Sequence, residues 1–194
     1  MTAQKPSEAQ KLISNQEFND FLVTHAGNMR RICNEEPKEQ IYPDLVILEP
    51  KDSSGKCPVT LYAIRIDFGD NRYEIMNTMG RKARKDKIQP VAAFLMFEAW
   101  VKQMFLEKAK RQPIKPASSY ADRREIVVLT GMTIDGRVNM ARLEIERIDR
   151  KIQLSEPKIL PYNPLALEQQ KTDIVAEFFR GYAAEFMEQM RQKN

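Results

Sequence analysis

Glu98-Ala99-Trp100 sets the sole tryptophan of the chain beside a carboxylate, at the close of an apolar run that begins at Val91. An aromatic face next to a negative charge suits a polar or cationic ligand group. Residues 91–98 suit a buried strand or a helix; the strand is preferred because Val59 to Phe68 read as an earlier strand with a helix between them. In a βαβ arrangement, pockets form beyond the carboxyl ends of the parallel strands. Asp67 and the Phe68-Gly69-Asp70 corner would then lie with Glu98 and Trp100. Arg81, at the start of the basic run that closes the intervening helix, completes the candidate ligand-binding set. The competing reading is structural: Trp100 caps the core and Glu98 pairs with one of the many basic residues.

A second constellation is Pro43-Asp44 followed by Glu49-Pro50-Lys51. These residue types resemble the Asp and Glu-x-Lys of restriction-type nucleases. That resemblance implies carboxylates holding Mg²⁺ and a lysine assisting the attacking water or the charged phosphate. The spacing argues against it. In such folds the Asp and the Glu-x-Lys sit on adjacent strands. Here they are five positions apart, an odd separation that points them to opposite faces of one strand. Pro50 disturbs the run further. No metal site is assigned.

Other catalytic classes lack their parts. The chain has one histidine, His25, and it falls on the apolar stripe of a helix. Cys33 and Cys57 form no C-x-x-C pair and no disulfide framework. There is no G-x-S-x-G elbow, no G-x-x-x-x-G-K-[ST] and no G-x-G-x-x-G, and only 7 glycines from which to build a phosphate-cradling loop. No catalytic residue is assigned and no cofactor is expected.

Composition bounds the rest. With 194 residues, 42% hydrophobic and 30% charged, the chain reads as one globular domain. A domain of this size buries about 70% of its unfolded surface and needs no staples. The net charge is +4, from 31 basic and 27 acidic residues, so nucleic-acid binding is permitted without being indicated. The basic segments 81–87 and 108–115 and the Arg123-Arg124 pair lack the interleaved aromatics on which single strands stack. With no leader pattern and no long apolar run, the expectation is a cytoplasmic protein that neither enters nor binds a membrane.

The elements follow from periodicity and punctuation. Ser14-Asn-Gln-Glu17 is a capping box before a helix over 15–34, with Phe18, Phe21, Leu22, Met29 and Ile32 on one stripe. Leu45–Leu48 and 59–68 predict a hairpin with a longer loop. Asp70 or Asn71 caps a helix to about Lys87, with Ile75, Met76 and Met79 inward. A short helix over 101–109 and a flexible loop over 111–124 come next. Asp135-Gly136 then predicts a two-residue type I′ hairpin between 125–134 and 137–148. A last strand falls near 151–154. A long helix over 165–191 carries Val175, Phe179, Tyr182, Phe186 and Met190. Residues 1–13 are expected to fray.

The fold class is therefore α+β. It comprises a mixed, mainly antiparallel sheet of about five strands with one βαβ unit, packed by N-terminal, central and long C-terminal helices. The leading function is a non-enzymatic module that binds a macromolecule. Its expected surface is the C-terminal helix, toward a protein partner or in a homodimer. The alternatives are the nuclease of Asp44, Glu49 and Lys51, and a small-ligand pocket at Glu98 and Trp100.

Overall fold

The computed structural model describes residues 13–64, 71–101, 121–160 and 174–192. Helix α1 spans Asn15–Glu35. Its capping box is formed: the Ser14 hydroxyl accepts from the Glu17 N–H at 3.2 Å, and the Glu17 carboxylate accepts from the Ser14 N–H at 2.9 Å. The box pins the start, so Ile13 before it is buried rather than frayed. The remainder of the expected frayed segment lies outside the described residues.

Strands β1 (Asp44–Leu48) and β2 (Val59–Ala63) form the expected hairpin; of the expected 59–68 strand, 65–68 fall outside the described residues. Helix α2 (Arg72–Lys85) starts from Asn71, whose side chain accepts from the Glu74 N–H at 3.3 Å. Strands β3 (Ala92–Val101), β4 (Arg124–Thr133) and β5 (Val138–Ile148) follow. The expected 101–109 helix lies beyond Val101, outside the described residues, as does most of the 111–124 loop. Strands β6 (Lys151–Leu154) and β7 (Lys158–Leu160) come next, and α3 covers Ile174–Gln192. Positions 165–173 of the expected last helix are also outside the described residues.

The architecture is α+β; among the described residues the sheet has seven strands, in the order β2-β1-β3-β4-β5-β6 with β7 also on β5. Every pairing between neighbours is antiparallel. The sheet is larger than the five strands expected, because β5 is long enough to carry two short partners on one edge. Met140–Arg142 pair with β7 and Ile145–Ile148 with β6. Those two are in effect one strand interrupted at Ser155-Glu156-Pro157.

The βαβ unit takes a split form. β2 and β3 are each antiparallel to β1, so they run parallel to one another, with β1 inserted between them. The apolar run at 92–96 reflects burial on both faces. Ala92, Phe94 and Met96 face α1, while Ala93 and Leu95 face α2 and α3. Phe94 is fully buried, its ring 5.1 Å from Phe18 and 4.7 Å from Phe21.

The Asp135-Gly136 signal is in the right place with a different turn. Gly136 has φ 88°, but Asp135 is not among the positive-φ residues, so no type I′ turn forms. The Gly136 N–H donates to the Thr133 carbonyl at 2.9 Å and the Thr133 N–H to the Arg137 carbonyl at 2.9 Å. This is a type I turn followed by a left-handed glycine, a three-residue loop. The Thr133 hydroxyl accepts the Arg137 N–H at 3.0 Å and favours the longer closure. Positive φ at two successive residues occurs instead at Asp149 and Arg150, which join β5 to β6.

Candidate functional site

The strand register creates a notch. β1 begins at Asp44, opposite Met96, whereas β3 runs on to Val101 with only β4 beside it. Residues 40–43 fill part of the gap. Ile41 is buried there, and its N–H donates to Glu98 Oε1 at 2.7 Å. A cavity of about 120 Å³ remains, lined by Gln40, Ile41, Pro43, Arg72, Phe97, Glu98 and Ile174. The Arg72 guanidinium lies 5.8 Å from the centre of the Phe97 ring.

Glu98 lines this cavity. Its charge is already engaged. Besides Ile41, it meets Arg147 Nη2 at 3.3 Å, and Arg147 also binds Glu125 at 2.5 Å and the Glu39 carbonyl at 2.8 Å. These contacts tie the 39–41 segment to β3, β4 and β5. Trp100 is a β3 residue opposite Glu125, with its side chain outside what is described, and Asp67 lies outside the described residues.

Arg81 is not at this notch. It sits between α2 and α3, 2.9 Å from Glu188 and 3.6 Å from Glu185, with Lys85 also 3.7 Å from Glu185. The sequence grouped it with Glu98 in one candidate ligand-binding set, and the structure separates them. The chain folds α3 against the basic run at the end of α2. Lys82 of the same run binds Asp86 at 2.7 Å, whereas Arg84 meets the neutral Tyr182 hydroxyl and Gln189 Oε1, each at 3.3 Å. The carboxylates of Asp86, Glu185 and Glu188 offset part of the charge that an anionic polymer would meet.

Asp44, Glu49 and Lys51 are not brought together. Asp44 closes one end of β1, with its Oδ1 3.7 Å from His25 Nε2. Glu49 follows the other end, where it accepts from the Gln89 N–H at 3.2 Å and from the Thr60 hydroxyl at 3.4 Å. Lys51 is ion-paired with Glu17. At ~3.3 Å per residue the backbone positions of Asp44 and Glu49 are about 16 Å apart along the chain. Among the described residues no group of three or more His, Cys, Asp or Glu is arranged to hold a metal ion.

The thiols are not poised nucleophiles. Burial pushes both Cys33 and Cys57 up from the ordinary thiol value, which disfavours the reactive thiolate at neutral pH. His25, on α1, stacks on Phe21 at 5.9 Å and is largely buried beside Asp44 of β1.

The outer end of α3 is different in kind. Val175, Phe178 and Gly181 form its buried line against α2 and the sheet. On the last turns Ala183 is exposed, and so are three large apolar side chains: Phe186 at 40%, Met187 at 54% and Met190 at 45%. These four positions are i, i+3, i+4 and i+7, one continuous face of a helix. The sequence stripe of Phe179, Tyr182, Phe186 and Met190 included two of them and missed Ala183 and Met187. The available signal was Gly181, which marks where α3 approaches its neighbour and so fixes its rotation. Among the described residues no helix is long and apolar enough to cross a membrane.

Family models, curated proteins and solved structures were all compared with this chain, and none matches.

Proposed function

We propose that the protein is a non-enzymatic binding module that inserts the outer face of α3 into an apolar groove of a partner protein. The observation that carries this reading is the exposed Ala183-Phe186-Met187-Met190 face. Helix-in-groove recognition uses anchors at i, i+3, i+4 and i+7. Methionine suits such a surface because its flexible thioether adapts to irregular pockets. The opposite face of the same helix is held on α2 by close backbone contact and by the Arg81–Glu188 pair, so the anchors are presented on a rigid mount. Phe186 is additionally oriented by the Arg84 guanidinium, 4.6 Å from its ring centre.

Site-specific photo-crosslinking in the native cell tests the proposal. A photoreactive residue at Met187 is expected to give one discrete adduct with a different protein. That adduct should disappear on adding Phe186→Glu, and it should not form from the exposed Lys56. No adduct, a smear, or an adduct the size of two copies of this chain contradicts the reading.

A further inference from the structure

The basic run at the end of α2 contains a cation held differently from its neighbours. Arg81 meets Glu188 at 2.9 Å and Glu185 at 3.6 Å, Lys82 meets Asp86 at 2.7 Å, and Lys85 meets Glu185 at 3.7 Å. Arg84, half-buried between them, has no carboxylate at ion-pairing distance among the described residues. Neutral groups hold it instead. Its Nε donates to Gln189 Oε1 and its Nη1 to the Tyr182 hydroxyl, each at 3.3 Å. Both acceptors are fixed in turn. The Gln189 amide donates to Glu185 at 3.4 Å, and the Tyr182 hydroxyl donates to the Ile88 carbonyl at 2.9 Å.

Nη2 remains. It donates to no acceptor among the described residues, and it is not one of the buried polar atoms that lack a partner, so it reaches solvent. The guanidinium lies over two rings, 4.6 Å from the centre of Phe186 and 5.6 Å from that of Tyr182. Phe186 is also an anchor of the exposed α3 face. An apolar anchor and an oriented, unpaired positive charge therefore sit at one place on the surface. Arginine held on aromatic rings suits an interface ion pair, because its planar fork matches a carboxylate and is ordered beforehand. An anionic lipid surface or a nucleic acid calls for a cluster of unpaired cations. Here Arg81, Lys82 and Lys85 already have carboxylates beside them.

We propose that the groove that receives α3 carries an Asp or Glu at its rim, and that Arg84 takes this carboxylate through its Nη2 edge while Phe186 enters the pocket beside it. This rests on the reading of α3 as the binding helix and adds the chemistry of the partner. The apolar anchors supply the buried area. Arg84 supplies discrimination, because a groove without the acid strips water from the guanidinium and returns no partner.

Zero-length crosslinking tests it. Arg84→Lys places an amine where the guanidinium stood, and carbodiimide joins an amine to a carboxylate in direct contact with it. The expected product, in extract of the native cell, is an isopeptide between position 84 and an Asp or Glu of the same protein that a photoreactive residue at Met187 captures. Arg84→Glu is expected to lower the Met187 adduct by about tenfold or more, because two carboxylates then face one another. Replacing the crosslinked carboxylate of that protein by lysine is expected to restore it. Both Arg84 variants should keep the wild-type circular dichroism, since no carboxylate of the fold depends on Arg84. No isopeptide at position 84, or one only to this chain's own carboxylates, overturns the proposal. A Met187 adduct undiminished in Arg84→Glu overturns it too and leaves the helix reading intact, whereas no adduct from the wild type removes both. Co-sedimentation of the wild type with phosphatidylserine vesicles, lost in Arg84→Glu, would assign Arg84 to a lipid surface instead.

Discussion

Gly80 of α2 lies so close to Phe178 of α3 that a Cβ on the glycine would overlap the phenylalanine's carbonyl oxygen. The reciprocal contact is equally tight. A Cβ on Gly181 would overlap the carbonyl oxygen of Asn77. Two helices approach this closely only where neither presents a side chain at the crossing. Gly80→Ala and Gly181→Ala are each expected to destabilise the protein by about 1–3 kcal/mol or more, because the obstacle is backbone and cannot rotate away. Chemical denaturation measures this. An unchanged midpoint for both would mean that the helices are not in backbone contact.

Gly136 calls for a different prediction, since open space surrounds it and only its φ of 88° is demanding. Gly136→Val is expected to cost about 1 kcal/mol or more, because a β-branched residue resists the left-handed region. Gly136→Asn should cost less, as asparagine tolerates that region. Equal losses for the two would point to a steric origin and contradict the turn geometry.

Divalent metal is expected to leave stability unchanged. Asp44 faces His25, Glu49 is bound to the Gln89 N–H, and Lys51 is paired with Glu17. Ligand binding to the native state would raise apparent stability by mass action. A thermal shift with millimolar Mg²⁺ or Mn²⁺ that vanishes in Asp44→Ala would favour the nuclease reading instead.

The α1 capping box has a pH signature. Hydrogen bonds from Lys51, then from the Ser14 N–H and hydroxyl, hold the Glu17 carboxyl down from its ordinary value of 4.5 to about 2. A pKa depressed on folding stabilises the protein above the unfolded value, and the benefit is lost as pH falls through the folded one. Stability should therefore decline between about 4.5 and about 2 through this group. Glu17→Gln can keep the cap geometry while losing the charge. Its denaturation midpoint is expected to fall less over that window, and high salt should narrow the difference. An identical acid profile in both proteins would show that the ion pair with Lys51 contributes nothing.

Local features of this fold were legible in the sequence, and non-local ones were not. Ser14 and Glu17 announce the start of α1 because a capping box is closed within four residues. Asn71 and the period of Met76 likewise announce α2. The run at 92–96 reads in sequence as a buried strand or a helix, because a continuous apolar run has no period, and it is a strand. Its neighbours were not legible, because the insertion of β1 between β2 and β3 is decided by pairings far apart in sequence. The turn at Asp149-Arg150 was missed because neither residue is glycine or asparagine. Arg81 was drawn toward Glu98 because nothing in the local pattern says that α3 returns to lie on α2. Glu98 is conspicuous in sequence as the carboxylate that follows an apolar run, but its partners Ile41 and Arg147 come from distant segments that no local pattern names. On α3 the exposure of Phe186 and Met190 beyond Tyr182 is legible in the stripe, whereas that of Met187 is not, because the rotation is set by Gly80 and Gly181 in contact with the opposite helix.

The central claim is that the last turns of α3 serve binding and the first turns serve folding. The most direct measurement is the unfolding free energy of Phe186→Glu, Met190→Glu beside that of Phe178→Ala. Phe178 is fully buried, and its truncation is expected to cost about 3–5 kcal/mol. The double substitution is expected to change stability by no more than about 1 kcal/mol, the scale of the lost Arg84–Phe186 contact. A loss in the double variant as large as that of Phe178→Ala would mean that Phe186 and Met190 belong to the core, and would contradict the proposed binding face.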